Sequence, residues 1–298
     1  MDRLEAMSLV LAVVESGSLN AAARRLNTPA ATASRKISDL EAHLRTKLFD
    51  RSGKRLALTE AGSTYVAASK RILAEVEEAE RTASGEYTAP TGDLIVSAPV
   101  GLGRVHLIPI LAEFLRAYRD IDVRLVLENR MVSLPEDHVD VALRVGVLPD
   151  SRLMALRLGT IRRIVCASPA YLEARGTPHT PDDLAGHDVI IYEALLAPNA
   201  WTFVHDKMDI TVAIDARLVV NSVEAACDAA CAGIGITRAL SYHVAPHVQA
   251  GTLTTLLDAY QPPPLPVSFL YAAGRFLPIK LRAFLDFAGP RLKARLAA

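Results

Sequence analysis

The residues up to Leu44 hold three short helical patterns in succession, and the middle one is built largely on alanine. Met7, Val10, Leu11 and Val14 recur at i, i+3, i+4 and i+7, which marks one face of a helix. Ser16-Gly17-Ser18 ends that run. Leu19, Ala22, Ala23 and Leu26 form a second stripe, whose small side chains let a neighbouring helix approach closely. Asn27-Thr28-Pro29 turns the chain into a third helix, with Thr28 suited to the N-cap and Pro29 to the first helical position, where the amide needs no partner. Ala33, Ile37, Leu40 and Leu44 then make an inward stripe. Two short helices, a tight turn and a third helix are the parts of a helix-turn-helix.

The outer face of the third helix presents Thr32, Ser34, Arg35, Lys36 and Ser38. An α-helix fits the major groove, where an arginine bonds guanine bidentately and small hydroxyls meet base edges or phosphate. Leu48-Phe49 and Leu56-Ala57-Leu58 flank a basic, glycine-bearing tip, Arg51-Ser52-Gly53-Lys54-Arg55, as in a hairpin wing lying along a DNA backbone. Candidate DNA-contacting residues are Ser18, Thr28, Pro29, Ala31, Thr32, Ser34, Arg35 and Lys36, with Arg51, Lys54 and Arg55 from the wing. Charge agrees. The chain has 33 basic and 33 acidic side chains, yet nine basic residues against three acidic ones lie between Arg24 and Arg55. A basic block on a neutral chain suggests an anionic partner for one module, although a solvated charged surface gives the same count.

At 298 residues and 51% hydrophobic content, the chain has material for two or three ordinary domains. Asp2 and Glu5 stand where a secretory leader would be basic, and no uncharged run approaches a membrane span. Three cysteines do not suggest a disulfide framework. A cytoplasmic, nucleoid-associated protein is the expectation.

The string from Ser18 to Gly62 resembles the N-terminal region of LysR-type transcriptional regulators. Ala21-Ala22-Ala23, Ser34-Arg35-Lys36-Ile37, Leu40-Glu41, Leu48-Phe49, Arg51 and Leu58-Thr59-Glu60-Ala61-Gly62 carry the likeness, which continues more loosely to the end of the chain. One departure is Ala33, where the family usually has valine. The resemblance implies a winged helix-turn-helix over 1–58, a dimerisation helix and hinge over 59–91, and an effector-binding domain over 92–298. It also implies double-stranded DNA bearing a promoter inverted repeat as a partner, a homodimer or homotetramer, and RNA polymerase as a further partner.

Thr59 suits the cap of a long helix running to about Ser84, with a seam of Tyr65, Ala68, Ile72, Val76, Ala79 and Ala83 that wants a partner helix. Packing on its own wing or effector domain is the competing use of that seam. Residues 85–92 read as a hinge. Strand patterns at Leu94–Val96, Val123–Leu127, Val139–Val145 and Ile161–Cys166 alternate with a helix from Val105 to Tyr118, giving an α/β unit with a largely parallel sheet. A second unit begins near Ser168, with strands at Val189–Tyr192, Val219–Asn221 and Gly233–Ile236 and a helix from Ser222 to Ala232. The fold class is therefore α plus α/β. Two lobes joined by crossing strands resemble the family's periplasmic-binding-protein-like effector domain, with lobe I at about 92–166 and 266–298 and lobe II at about 167–265. Such folds bind ligands at strand C-terminal ends between the lobes. That places a small-molecule effector against Ala98, Pro99, Val100 and Gly101 and against Asn221, Ser222 and Val223, each loop preceding a helix N-terminus that favours an anionic or strongly hydrogen-bonding ligand. Arg144 adds a charge-assisted contact and Thr237 a hydroxyl.

Gly101-Leu102-Gly103 lacks the third glycine of a nucleotide fingerprint. Cys227 and Cys231 share a helix face, but no nearby histidine or cysteine completes a zinc set, and Cys166 reads as core. His179, His187, His243 and His247 stand in loop-like contexts, and His106 alone lies near the expected cleft. Trp201 and Phe203 alternate as core strand residues do. No catalytic residue, cofactor or metal is expected. The rival readings are a solute-binding protein or enzyme on the same two-lobed fold, and a constitutive architectural DNA binder.

Overall fold

The structure is a computed structural model describing residues 2–50, 56–84, 89–130, 134, 137–148, 153–192, 200–273 and 277–297, apart from the side chains of 71, 74, 75, 77–79 and 81–84. Two compact units divide at Gly92 and Asp93.

The first unit runs α1 (Arg3–Ser16), α2 (Leu19–Arg25), α3 (Ala30–Leu44), β1 (Phe49–Asp50), β2 (Ala57–Leu58) and α4 (Glu60–Ser84). Asp2 caps α1 by accepting from the Leu4 and Glu5 amides, and Gly17 ends it at φ +68°. The buried face of α1 is Ala6, Leu9, Val10 and Val13 rather than the expected Met7, Val10, Leu11 and Val14. The spacing is as read but its phase is one residue off, because α1 is apolar on most sides and its pattern alone selects no face. Ala22, Ala23, Ala33, Ile37, Leu40 and Leu48 complete this core, with Val66 of α4 packed in. Leu26 falls outside the helical stripe, 41% exposed. Pro29 is the N-cap of α3, one residue later than the expected Thr28 cap; its extended ψ of 137° keeps it out of the helix, and Thr28 donates its hydroxyl to the Leu26 carbonyl instead.

The wing strands pair antiparallel, Phe49 opposite Leu58 and Asp50 opposite Ala57. Thr59 caps α4 as expected, accepting from the Gly62 amide at 2.9 Å. Gly62 lies so close to the preceding strand that a Cβ there would sit 2.0 Å from the Leu48 carbonyl oxygen. Ile72 and Val76 of the expected seam are half-buried, while the side chains of Ala79 and Ala83 lie outside the described residues, as do residues 85–88 of the hinge.

The second unit continues with β3 (Gly92–Ala98), α5 (Val100–Leu102), a π turn (Gly103–Leu107), α6 (Ile108–Ala117), β4 (Ile121–Leu127), β5 (Val141–Val145) and β6 (Leu153–Ile161). Next come β7 (Arg163–Ala167), α7 (Pro169–Arg175), β8 (Val189–Tyr192), β9 (Ala200–His205), β10 (Met208–Ala213), β11 (Ala216–Val220) and α8 (Val223–Cys231). β12 (Ile236–Leu240), α9 (Ser241–Gln249), β13 (Thr254–Leu256), β14 (Leu265–Ala272) and α10 (Ile279–Ala297) complete it. Two five-stranded sheets result, in the orders β4-β3-β5-β14-β6 and β11-β8-β12-β7-β13, while β9 and β10 form a separate hairpin.

Both sheets are mixed rather than largely parallel. β3 and β5 run parallel, but the returning strand β14 is antiparallel to β5 and to β6. In the second sheet β8 is parallel to β11 and β12, whereas β7 is antiparallel to β12 and β13. The reversals follow from the chain passing between sheets twice, which local periodicity does not encode. The chain crosses first at Arg162, directly after β6, so the strand expected at Ile161–Cys166 is split and its main part, β7, belongs to the second sheet. It returns through residues 261–264 into β14. The strand expected at Gly233–Ile236 begins only at Ile236: Gly233 turns at φ +79°, and Gly235 passes the Asp188 carbonyl too closely for any side chain.

Candidate functional sites: a helical reading face and an interlobe cleft

In the first unit, α3 turns Ala33, Ile37 and Leu40 inward and leaves Ala31 and Arg35 exposed, with Thr32, Ser34 and Lys36 half-buried. Arg35 has no acidic partner among the described residues. Lys36 instead pairs with Glu5 of α1. Ser18 is engaged as the N-cap of α2, accepting from the Ala21 amide at 3.2 Å. Pro29 is exposed at the start of α3 and Thr28 half-buried beside it. Arg51, Lys54 and Arg55 lie outside the described residues.

Glu41, on the inward side of α3, ties that helix to the wing. Its carboxylate is almost fully buried and accepts from the Leu48 amide at 2.9 Å, the Phe49 amide at 3.2 Å and Lys47 Nζ at 2.9 Å. Burial pushes its pKa up, but the Lys47 bond and the two amides outweigh that and hold it below the usual carboxylate value.

In the second unit, a cleft of about 1120 Å³ lies at the strand ends between the two sheets. Of the expected residues, Pro99, Val100, Gly101, Arg144, Asn221, Ser222 and Val223 line it. Ala98 does not; it is buried, and its carbonyl accepts from the Glu128 amide. Neither does Thr237, which lies within β12, fully buried, with its hydroxyl donating to the Ile190 carbonyl at 3.1 Å.

One amide at each helix N-terminus is already taken by a side chain of the protein. The Val100 amide donates to Asn129 Oδ1 at 3.1 Å, and Asn129 Nδ2 donates to the Tyr192 hydroxyl across the cleft at 3.2 Å. Ser222 caps α8 by accepting from the Ala225 amide and donates to Glu224 Oε2 at 2.9 Å. Glu224 in turn accepts from Arg104 at 3.3 Å, linking the lobes again.

Charge in the cleft is unevenly neutralised. Arg130 is held bidentately by Asp137 at 3.0 and 2.7 Å and pairs with Glu128 at 2.6 Å. Arg144, 8% exposed, donates to the Leu143 carbonyl and to Ser97 Oγ; burial lowers its pKa while nearby Glu128 raises it. Glu128 Oε1 is buried with no hydrogen-bond partner among the described residues. Arg163 and Arg238 also line the cleft, and neither has a carboxylate partner among the described residues.

His243 and His247, expected in a loop, lie on α9. The His243 side chain is only 8% exposed and seats against Gly101, where a Cβ would approach within 2.2 Å of its ring. Burial lowers its pKa to about 4, so the ring is neutral. His106 packs edge-on to Tyr242 with both ring nitrogens buried and without a hydrogen-bond partner, and it does not line the cleft. Sequence reasoning missed Asn129, Tyr192, Arg163, Arg238 and His243. Asn129 and Tyr192 stand at the C-terminal ends of β4 and β8, a position that was itself a usable signal.

Cys166 and Cys227 are buried thiols whose pKa values burial raises, Cys227 to about 12. Cys231 Sγ lies 3.3 Å from His247 Nδ1. Among the described residues no group of three His, Cys, Asp or Glu side chains is arranged to hold a metal, and no single helix is long and apolar enough to cross a membrane.

Family models match both parts of the chain: "Bacterial regulatory helix-turn-helix protein, lysR family" over residues 4–63, and "LysR substrate binding domain" over residues 88–293. The chain belongs to the LysR family of transcriptional regulators. It is 36% identical over 284 residues to an HTH-type transcriptional regulator of Xanthomonas campestris pv. campestris, covering 94% of this chain and 83% of that one. Among solved structures it is similar to CrgA, a LysR-type transcriptional regulator from Neisseria meningitidis, at 31% identity and TM-score 0.62 over 99% of both chains. Full-length AphB, a virulence activator of Vibrio cholerae, matches at 27% identity and TM-score 0.61, covering 96% of this chain and 98% of that one. This LysR-family chain is thus a DNA-binding regulator with a helix-turn-helix and a two-lobed α/β effector domain, not an enzyme.

Proposed function

We propose that this regulator inserts α3 into the major groove of a promoter inverted repeat and alters that binding when a small anionic molecule fills the interlobe cleft. The observation that carries the reading is the outward face of α3: Arg35 is exposed and lacks an acidic partner among the described residues, with Ala31, Thr32 and Ser34 beside it on a helix whose opposite face buries Ala33, Ile37 and Leu40. Ser18, Thr28, Pro29 and Lys36 flank the groove, and the basic wing residues Arg51, Lys54 and Arg55 run along the backbone.

Residues 1–58 act as the reading head, 59–91 as dimerisation helix and hinge, and 92–298 as the sensor. Homodimers, or homotetramers built from them, match paired half-sites, and the seam with Ile72 and Val76 supports this use of α4. RNA polymerase is the further partner, and the cytoplasm the site of action. Pro99, Val100, Gly101, Arg144, Asn221, Ser222 and Val223 contribute the cleft wall. Effector binding biases the relative position of the lobes, and α4 carries that change to the DNA.

The test is a gel shift on the fragment upstream of the protein's own gene. Arg35→Ala weakens binding by about 1–3 kcal/mol and relaxes sequence preference. An Arg35→Ala protein that footprints like the parent overturns the assignment of α3, and a protein with no salt-sensitive affinity for any duplex overturns the reading altogether.

A further inference from the structure

The two arginines left unneutralised in the cleft stand at the hinge between the lobes. Arg163 is the first residue of β7, immediately after the Arg162 crossover, and Pro262 and Pro263 of the return crossover line the same cavity. Arg238 lies on the neighbouring strand β12. Its backbone pairs with Val165, so Arg163, two residues away, projects from the same sheet face as its diagonal neighbour. The Arg238 guanidinium rests 4.8 Å from the centroid of the Trp201 ring, and its Nη1 donates to the Thr202 carbonyl at 3.4 Å. That stacking fixes one cation while leaving most of its donors free.

Every other arginine lining the cleft is answered within its own lobe: Arg130 by Glu128 and Asp137, Arg144 by Ser97, a carbonyl and nearby Glu128. Burial lowers the pKa of both Arg163 and Arg238, and the nearby Arg163 charge lowers that of Arg238 further, to about 10. Two desolvated like charges on one wall cost stability unless an anion completes them. The same cavity is lined by apolar Trp201, Val204, Pro262 and Pro263, with Thr202 and Asp209 as polar members; Asp209 makes no ion pair with either arginine.

We propose that Arg163 and Arg238 form an oxyanion-binding site at the lobe hinge, taking the carboxylate of a small organic acid whose apolar body lies against Trp201, Val204 and the two prolines. This rests on the reading of the cleft as an effector site and moves its anion recognition away from the helix N-termini, whose Val100 and Ala225 amides are already bonded. A ligand held by β7 and β12 beside both crossovers acts where the lobe angle is set.

The test uses the full chain and the fluorescence of Trp201, the only tryptophan. Sodium benzoate, sodium butyrate and sodium phosphate are titrated against sodium chloride at matched ionic strength, following fluorescence and thermal unfolding. Benzoate or butyrate, at millimolar concentration, raises the unfolding temperature of the second unit and phosphate less so. Arg163→Gln and Arg238→Gln each weaken this response at least about tenfold. Arg217→Gln, which removes a surface charge paired with Asp188, leaves it intact. Without added anion, Arg163→Gln unfolds at or above the parent temperature, which a purely structural arginine would not do. Binding that survives in both variants overturns the proposal. So does a response to phosphate or chloride equal to that of the organic acids, or a response to none of them. The gel shift is scored separately on anion-free protein: loss of anion binding with intact DNA binding sinks this site alone, and the reverse sinks the regulator reading alone.

Discussion

Replacing Gly101 with alanine tests whether the two lobes are held apart by a single atom's width. The added Cβ would stand 2.2 Å from His243 Cε1, 2.5 Å from Nε2 and 3.0 Å from Tyr242 Cε2. Ordinary carbon contacts lie at about 3.5–4.0 Å, so the overlap exceeds about 1 Å. The imidazole has little room to retreat, being 8% exposed and 4.3 Å, ring centre to ring centre, from Tyr242. Overpacking of this kind costs about 1–3 kcal/mol. Urea unfolding followed by Trp201 fluorescence reports the second unit, because that side chain is in β9. Gly101→Ala should lower the midpoint, by an unfolding free energy of this size, and His243→Ala should open the space that makes Gly101→Ala nearly neutral, a coupling of at least about 0.5 kcal/mol. An unchanged midpoint in the single variant, or the same loss in both backgrounds, would refute the reasoning.

Three further outcomes follow from the same contacts. Stability of the second unit is full above pH 6.5 and declines as pH falls toward 4, since the unfolded His243 binds a proton that the buried ring refuses; a pH series of unfolding midpoints, flattened in His243→Gln, checks this at up to about 1.4 kcal/mol per pH unit. Glu41 acts in the same direction at lower pH: its folded carboxyl is held below 4.5, so its contribution is present above that value and lost on further acidification, while Glu41→Ala leaves two buried amides unpaired and costs about 2 kcal/mol or more in thermal unfolding of the first unit. Gly62→Ala forces a methyl into the Leu48 backbone and should destabilise the first unit by about 2 kcal/mol or more, measured by its unfolding midpoint; a neutral result would mean that α4 starts elsewhere.

The reading head was legible because its signals are local. Alanine spacing, the Thr59 cap and the order of short helices each act over a few residues, and they recur in the structure at or within one residue of the expected place. The phase of α1 was not legible, since a helix apolar on most sides is oriented by what it packs against. Several strands of the second unit were legible, β6, β10, β13 and β14 were not read, and strand directions were not legible: whether β7 runs with or against β12 depends on a crossover at Arg162 that leaves no periodic trace. The cleft was located by the rule of strand ends, and its chemistry only in part. His243 reads as a loop histidine until α9 brings it against Gly101, and Arg238, two residues past the strand expected at Gly233–Ile236, carries no signal until Trp201 is placed under it.

The carboxylate of Glu41 has a mechanical meaning for promoter choice. By clamping the backbone of Leu48 and Phe49 to the helix it stands on, it makes α3 and the base of the hairpin one stiff tool. In the proposed mode of DNA reading, such a tool would meet each half-site at one fixed offset between groove and phosphate rail. Adjustment to operators of unequal spacing must then come from the joints behind the tool, never from within it.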